Sequence, residues 1–321
     1  MRFEKAIVLN PPNPPGYVSN KDSMGGFGQL FPSGATVFPT LDLVYLASCL
    51  AEYNLPLVVL ECAGLGLTLA GLLTRINELA AAEGDRPVIV VARTSAPTLD
   101  LDLNVCREIK AAWPASQIAI YGPVVPNVLK RIRREACVDY IIQGDPEETV
   151  RELMIGEPVE SIRGLTFRAA GEWVENPERP LIRELDRLPF PKWELFPWHN
   201  YQIPRSSNRS GTTFLPMQTS RGCPIGCHYC PYPVGQGLLW RYRSPTNVVD
   251  EMEHLIRTFG VKYILLRDPM FSLNQKRVIQ ICDEIKRRNL VFEWRCETRV
   301  DFLKEETLRA MARAGCTGIN F

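Results

Sequence analysis

Continuous aliphatic runs alternate with amphipathic stretches along the first half of the chain. Ala6-Ile7-Val8-Leu9 reads as a buried strand, stopped by Asn10-Pro11-Pro12. Residues 57–60, 88–91, 118–121 and 140–142 have the same unbroken apolar character. Between them, residues 41–53, 69–82, 103–113 and 127–135 carry apolar side chains at helical spacing. Unbroken aliphatic strands separated by amphipathic helices predict an α/β domain, a doubly wound parallel sheet covered on both faces. Residues 11–40, rich in Gly, Pro and Ser, are expected to form one long loop, a length that is usually functional or mobile.

The pattern changes after residue 150. Proline becomes frequent, and residues 164–168 and 171–174 read as a small hairpin. Residues 189–198 hold too many prolines for a regular element and predict an ordered strap whose aromatics, Trp193 and Trp198 among them, serve packing. A second alternation starts at Phe214, with strands at 214–218, 262–266 and 292–296 and a fourth beginning at Thr317. Helices at 248–258, 274–288 and 305–314 separate them, with Ser244 or Thr246 and then Asn274 as capping residues. Repeated βα units predict a barrel-like sheet with its site at the strand ends. The division expected is residues 1–150, a linker at 151–210, and a second α/β domain at 211–321.

Composition narrows the classes. A chain of 321 residues has room for two cores, and a net charge of +1 without a basic tract argues against nucleic acid. The longest apolar stretch, 56–73, is broken by Glu61 and three glycines, so no membrane span is expected. The first residues do not form a signal peptide, and ten cysteines outside a secretory context point to a reducing cytoplasm.

Three of those cysteines carry the chemistry. Cys223, Cys227 and Cys230 follow the apolar run 214–217 at spacings of four and three residues, framed by Gly222, Pro224 and Gly226. A short loop leaving a strand can bring three thiolates onto one inorganic centre, and thiolates are the usual ligands of iron–sulfur clusters. A [4Fe–4S] cube bound by three cysteines keeps one iron open, which marks a reacting site. A structural zinc would need a fourth ligand. His228 is poorly placed to supply it, and no second Cys-x-x-Cys pair exists. A disulfide framework does not suit an odd count of three.

The run Cys223-x-x-x-Cys227-x-Tyr229-Cys230 resembles the signature of the radical S-adenosylmethionine (SAM) enzymes, including the aromatic residue before the third cysteine. The wider phrase from Gln218 to Pro224, with Arg243-Ser244-Pro245 and Asp250-Glu251, is similar to one subgroup with an N-terminal cobalamin-binding domain. That subgroup includes anaerobic magnesium-protoporphyrin ester cyclases and many methylases. The resemblance implies that Cys223, Cys227 and Cys230 hold a [4Fe–4S] cluster that cleaves SAM reductively to a 5′-deoxyadenosyl radical. It implies SAM contacts for Tyr229, Asp268 and Pro269, with Asp268 beside the cofactor ammonium. Arg299 is expected either to pair with the cofactor carboxylate or to form a plain salt bridge. Methylation of an unactivated carbon is the activity implied first. Radical cyclisation or oxidation, and a non-catalytic iron–sulfur or zinc module, stand as alternatives. The implied partners are a small-molecule or lipid-like natural-product substrate and an electron donor such as a flavodoxin or ferredoxin. The resemblance further implies a partial barrel of about six βα units, whereas the sequence stops inside the fourth. A C-terminally truncated fragment is therefore expected, lacking most of the substrate site.

In the first half, small residues follow the strands: Glu61-Cys62-Ala63-Gly64-Leu65-Gly66, then Thr94-Ser95, Gly122-Pro123 and Gly144. They would let a bulky planar ligand approach the backbone. The pattern resembles the cobalamin-binding fold and its Asp-x-His-x-x-Gly motif, with Glu61 for the Asp, Ala63 for the His, and Gly66 retained. Glu61, Cys62, Ala63, Gly66, Thr94, Ser95, Gly122 and Gly144 are the implied cobalamin contacts. All three histidines (His199, His228 and His254) lie outside this half, so no imidazole from it would serve as lower ligand. Asp145 or Thr149 is expected to cap the helix after the fifth strand, or to turn its amides to the ligand.

Overall fold

The computed structural model describes residues 2–203 and 212–321, which form two units. The first comprises Met1–Leu181 with Pro191–Pro197 and Val234–Gln236; the second comprises Ile182–Phe190, Trp198–Pro233 and Gly237–Phe321. The sequence-expected boundary at 210/211 lies outside the described residues.

In the first unit the strands are β1 (Lys5–Asn10), β2 (Tyr17–Asn20), β3 (Gln29–Pro32), β4 (Leu57–Glu61), β5 (Val88–Arg93), β6 (Gln117–Tyr121), β7 (Tyr140–Ile142), β8 (Leu165–Ala169) and β9 (Glu172–Glu175). The helices are α1 (Leu41–Glu52), α2 (Cys62–Leu65), α3 (Leu69–Glu83), α4 (Leu99–Ala112), α5 (Val125–Ile132) and α6 (Pro146–Ile155). The main sheet runs β4-β1-β5-β6-β7-β8-β9. Its first five strands are parallel, as their unbroken aliphatic runs predict. Ile7, Leu9, Val90 and Ile120 meet Leu72 and Ile76 of α3, Leu103 and Ile109 of α4, and Val125 and Ile132 of α5 in one core. Chain direction across the sheet reverses between β1 and β5, so their carboxyl ends flank the crevice where open α/β sheets take ligands.

Two stretches differ from expectation. The hairpin at 165–175, read as part of a linker, extends the sheet: β8 lies antiparallel on β7 (Tyr140↔Phe167, Ile142↔Leu165) and β9 on β8. Leu165 and Phe167 are buried on this pairing, and Trp173 donates its indole N–H to the Arg133 carbonyl at 2.9 Å. Residues 11–40 are more than a loop, since β2 and β3 pair antiparallel around a turn at Met24–Gly26. Polar Ser19, Asn20 and Gln29 hide that ladder from a reading of hydrophobic alternation. Asp145 occupies the N-cap position of α6, whereas Thr149 lies within the helix and donates to the Arg163 carbonyl at 3.1 Å. Trp193 is fully buried against Phe196, in keeping with a packing role.

The second unit contains β10 (Phe214–Met217), β11 (Ser220–Arg221), α7 (Tyr232–Gln236, whose last three residues count with the first unit), β12 (Arg241–Tyr242), α8 (Pro245–Phe259), β13 (Tyr263–Leu266), α9 (Gln275–Arg287), β14 (Glu293–Glu297), α10 (Glu305–Arg313) and β15 (Cys316–Asn320). The sheet β10-β13-β14-β15 is parallel and open, not a closed barrel. Ser244 caps α8 by accepting from Asn247 N, and Asn274 caps α9 by accepting from Arg277 N. Among the described residues no helix is long and apolar enough to cross a membrane.

Candidate iron–sulfur site

The cysteine loop begins where β10 ends. Thr219, fully buried, is the hub of its entry. Its amide donates to Asp268 Oδ1 at 2.6 Å and its hydroxyl to Asp268 Oδ2 at 2.5 Å. Ser220 Oγ donates to the same Oδ2 at 2.7 Å. The Thr219 carbonyl accepts from Arg277 Nη2 at 2.9 Å and from the Arg243 amide at 3.0 Å. Arg243 in turn is paired with buried Glu251. Burial pushes the Arg277 guanidinium below its ordinary range, and the Asp268 charge opposes that shift. Burial likewise raises Glu251 against the pull of Arg243.

Beyond this hub the loop depends on Gly222. Its φ is +84°, and a Cβ there would fall 2.1 Å from the Leu239 carbonyl oxygen. The next amide, Cys223 N, donates to the Gly237 carbonyl at 3.0 Å, so the loop and the segment before β12 touch backbone to backbone. Cys223 is buried, while Cys227 and Cys230 are half-buried. The Cys223 thiol is raised first by burial and then by the charges of Cys230 and Cys227. Among the described residues no three His, Cys, Asp or Glu side chains converge tightly enough for a single metal ion. The ligands of a four-iron cube attach at separate corners, so they stand farther apart than ligands of one ion.

The other residues expected at the SAM site are distributed differently. Tyr229 is 85% exposed and Pro269 half-buried. Asp268 is fully buried, its carboxylate already engaged by Thr219 and Ser220. Arg299 is gripped by Asp301 through Nε at 3.0 Å and Nη2 at 2.7 Å, and its Nη1 lies 3.3 Å from Cys227 Sγ. Sequence reasoning missed the structural use of Thr219 and Arg277. A signal was present for Glu251, a carboxylate on the same helical face as Val248, Met252 and Leu255, all buried.

In the first unit the strand-end residues split into two groups. Glu61 Oε2 accepts from Gly64 N and Oε1 from Asn10 Nδ2, both at 2.5 Å, so this carboxylate caps α2. Cys62 and Ala63 are buried beneath it, and the Cys62 thiol is pushed up to about 12, by burial first. Thr94 Oγ1 donates to Asp102 Oδ2 at 2.9 Å, and Ser95 Oγ lies 2.7 Å from Thr98 Oγ1. Segment 26–28 covers them: a Cβ on Gly28 would fall 2.8 Å from Ser95, and one on Gly26 2.5 Å from Pro123. Gly122 is equally tight, its Cβ position 2.4 Å from the Thr94 carbonyl. Gly66 and Gly144, by contrast, face open space. Asn10 Oδ1, at the crevice, is buried and accepts no hydrogen bond.

An open parallel sheet with a three-cysteine loop at the carboxyl end of its first strand defines a class of iron–sulfur α/β protein. The family model described as Radical SAM superfamily matches residues 217–321, and the chain carries a radical SAM domain there. Among curated proteins, an uncharacterized methyltransferase of Pyrococcus horikoshii is 29% identical over 291 residues, 89% of this chain and 61% of that protein. The anaerobic magnesium-protoporphyrin IX monomethyl ester cyclase of Cereibacter sphaeroides is 27% identical over 250 residues, 73% of this chain and 39% of the cyclase. The match thus spans less than two thirds of the length of each of these relatives. Among solved structures, the radical SAM methyltransferase TsrM of Kitasatospora setae, with cobalamin and a [4Fe–4S] cluster bound, superposes at a TM-score of 0.71. It is 17% identical, and the match covers 99% of this chain and 58% of TsrM, a likeness of fold.

Proposed function

We propose that this chain belongs to a cobalamin-dependent radical SAM enzyme that methylates an unactivated carbon of a small molecule. The observation that carries the reading is the cysteine loop. Three cysteines, Cys223, Cys227 and Cys230, follow the end of β10 inside a domain that matches the Radical SAM superfamily. The donor set fits the cluster, because three cysteines on one short loop supply the thiolates that iron–sulfur clusters take as ligands. The first unit fits a corrinoid at the β1/β5 crevice, where Asn10 Oδ1 is an unused buried acceptor for a peripheral amide. Backbone at Gly66 and Gly144 is open to such a ligand, and Glu61 shapes the turn before Gly66.

When bound, these groups supply one-electron cleavage of SAM and a transferable methyl group. The chain's own residues do the rest. Cys223, Cys227 and Cys230 present the sulfurs, and Gly222 lets the loop press onto the 237–239 segment. Tyr229, Pro269 and Arg299 are the candidates nearest the loop for touching SAM. Imidazole from the first unit is no candidate for a cobalt ligand, since the histidines are His199, His228 and His254. A low-potential electron donor of flavodoxin or ferredoxin type and a cytoplasmic setting complete the proposal. Radical cyclisation is the second reading, favoured by the cyclase among the relatives.

The test is anaerobic cluster reconstitution followed by an assay for 5′-deoxyadenosine with SAM and a strong reductant, beside Cys227→Ala. Formation by the wild type and not by the variant is expected. A wild-type protein with an intact cluster spectrum and no more 5′-deoxyadenosine than the variant would refute the enzyme reading. A visible corrinoid spectrum retained through gel filtration tests the first unit.

A further inference from the structure

We infer that Asp268 is a positioning residue that locks the entry of the cysteine loop, and that it is not a ligand of the SAM ammonium. For the cluster this inference rests on the proposed function; for the lock it rests on geometry alone. Asp268 directly follows Arg267, whose amide makes the last β10–β13 contact by donating to the Met217 carbonyl at 2.9 Å. At that point the two chains diverge, and the Asp268 side chain bridges the gap. Oδ1 takes the Thr219 amide, and Oδ2 takes both the Thr219 and Ser220 hydroxyls, all at 2.5–2.7 Å. Carboxylate acceptors of this kind make the stronger class of hydrogen bond.

The same residue, Thr219, is held from the opposite side. Arg277 Nη2 reaches its carbonyl from α9, while Arg277 Nε donates to the Arg243 carbonyl at 2.9 Å. Thr219 therefore has amide, hydroxyl and carbonyl all fixed, four residues before Cys223. Two opposite charges, Asp268 and Arg277, hold one residue by the two peptide groups that flank its Cα. A SAM ammonium reaching the Asp268 carboxylate would have to displace donors from a group that is fully buried. Fixing the entry peptide places Cys223, the most buried of the three cysteines, before any cluster arrives.

The apoprotein reports this directly. Iodoacetamide labelling under reducing, anaerobic conditions, read cysteine by cysteine by mass spectrometry, compares Cys223 with the buried reference thiols Cys49 and Cys282. Asp268→Ala is expected to speed Cys223 labelling about tenfold or more with the reference thiols unchanged. Thr219→Val, which removes one hydroxyl, is expected to speed it about threefold and carries the test if Asp268→Ala does not fold. Reconstituted Asp268→Ala should hold less iron per chain than wild type, and Asp268→Asn should bind SAM as wild type does once loaded. Unchanged Cys223 labelling in both variants overturns the proposal. So does a loss of SAM affinity in Asp268→Asn with labelling unaltered. A wild type that takes up no cluster sinks the enzyme reading instead, and the labelling still decides the lock.

Discussion

Replacing Asp102 with Asn strikes the most heavily loaded carboxylate of the first unit. Asp102 is buried and accepts both oxygens' worth of the Lys21 ammonium, at 2.9 and 3.0 Å. It also accepts from Thr94 at 2.9 Å and Thr98 at 2.6 Å. Lys21, itself buried, has the Arg93 carbonyl at 2.8 Å as its other acceptor. The Asn variant leaves an ammonium in the interior without its countercharge, a loss of about 3–5 kcal/mol. For a unit of this size that corresponds to a fall in Tm of about 6–20 °C. Urea unfolding followed by far-UV circular dichroism measures it, with the m-value checking that the transition stays two-state.

The pH dependence sharpens the test. Burial lowers the Lys21 pKa, and the Asp102 charge opposes that. In the variant the pKa falls further. Between its folded value and 10.5 the unfolded chain holds a proton that the folded one lacks, so stability rises with pH there. The deficit of Asp102→Asn should therefore shrink as pH rises toward 10.5, at up to about 1.4 kcal/mol per unit. Lys21→Met/Asp102→Leu, which removes both charges, should recover much of the loss. A deficit below about 1 kcal/mol, or one independent of pH, refutes an interior ion pair.

Two further outcomes follow. Gly222→Ala puts a methyl group 2.1 Å from the Leu239 oxygen at a φ of +84°, so it should lower iron incorporation per chain while the far-UV spectrum of the first unit persists. Val291, 90% exposed, is the control: Val291→Ser should move stability by no more than about 0.5 kcal/mol in a urea titration.

How far the sequence foretold this molecule depends on whether a feature is local. The parallel strands were legible because burial on both faces leaves an uninterrupted aliphatic run, as in Val88–Val91. The cysteine loop was legible because its three cysteines lie within eight residues, Cys223 to Cys230. Asp268 shows the opposite case. It was read for its charge as a contact of SAM, and the bonds that hold its carboxylate come from Thr219 and Ser220, 49 and 48 residues away. Lys21 and Asp102 are separated by 81 residues, and each alone resembles a surface residue of a loop or a helix. Periodicity reports which face of an element is apolar, and a charge at the end of that face is taken for solvent exposure. At the carboxyl ends of parallel strands the inference reverses. Chains diverge there, backbone donors lose their ladder partners, and a buried carboxylate is the compact group able to take several at once. Asp102, in the first turn of α4, and Asp268, two residues past β13, each hold Thr or Ser hydroxyls near the carboxyl end of a parallel strand. A lone Asp shortly after an aliphatic strand, near Thr or Ser, is thus as well read as a lock on the loop as a ligand for whatever the loop holds.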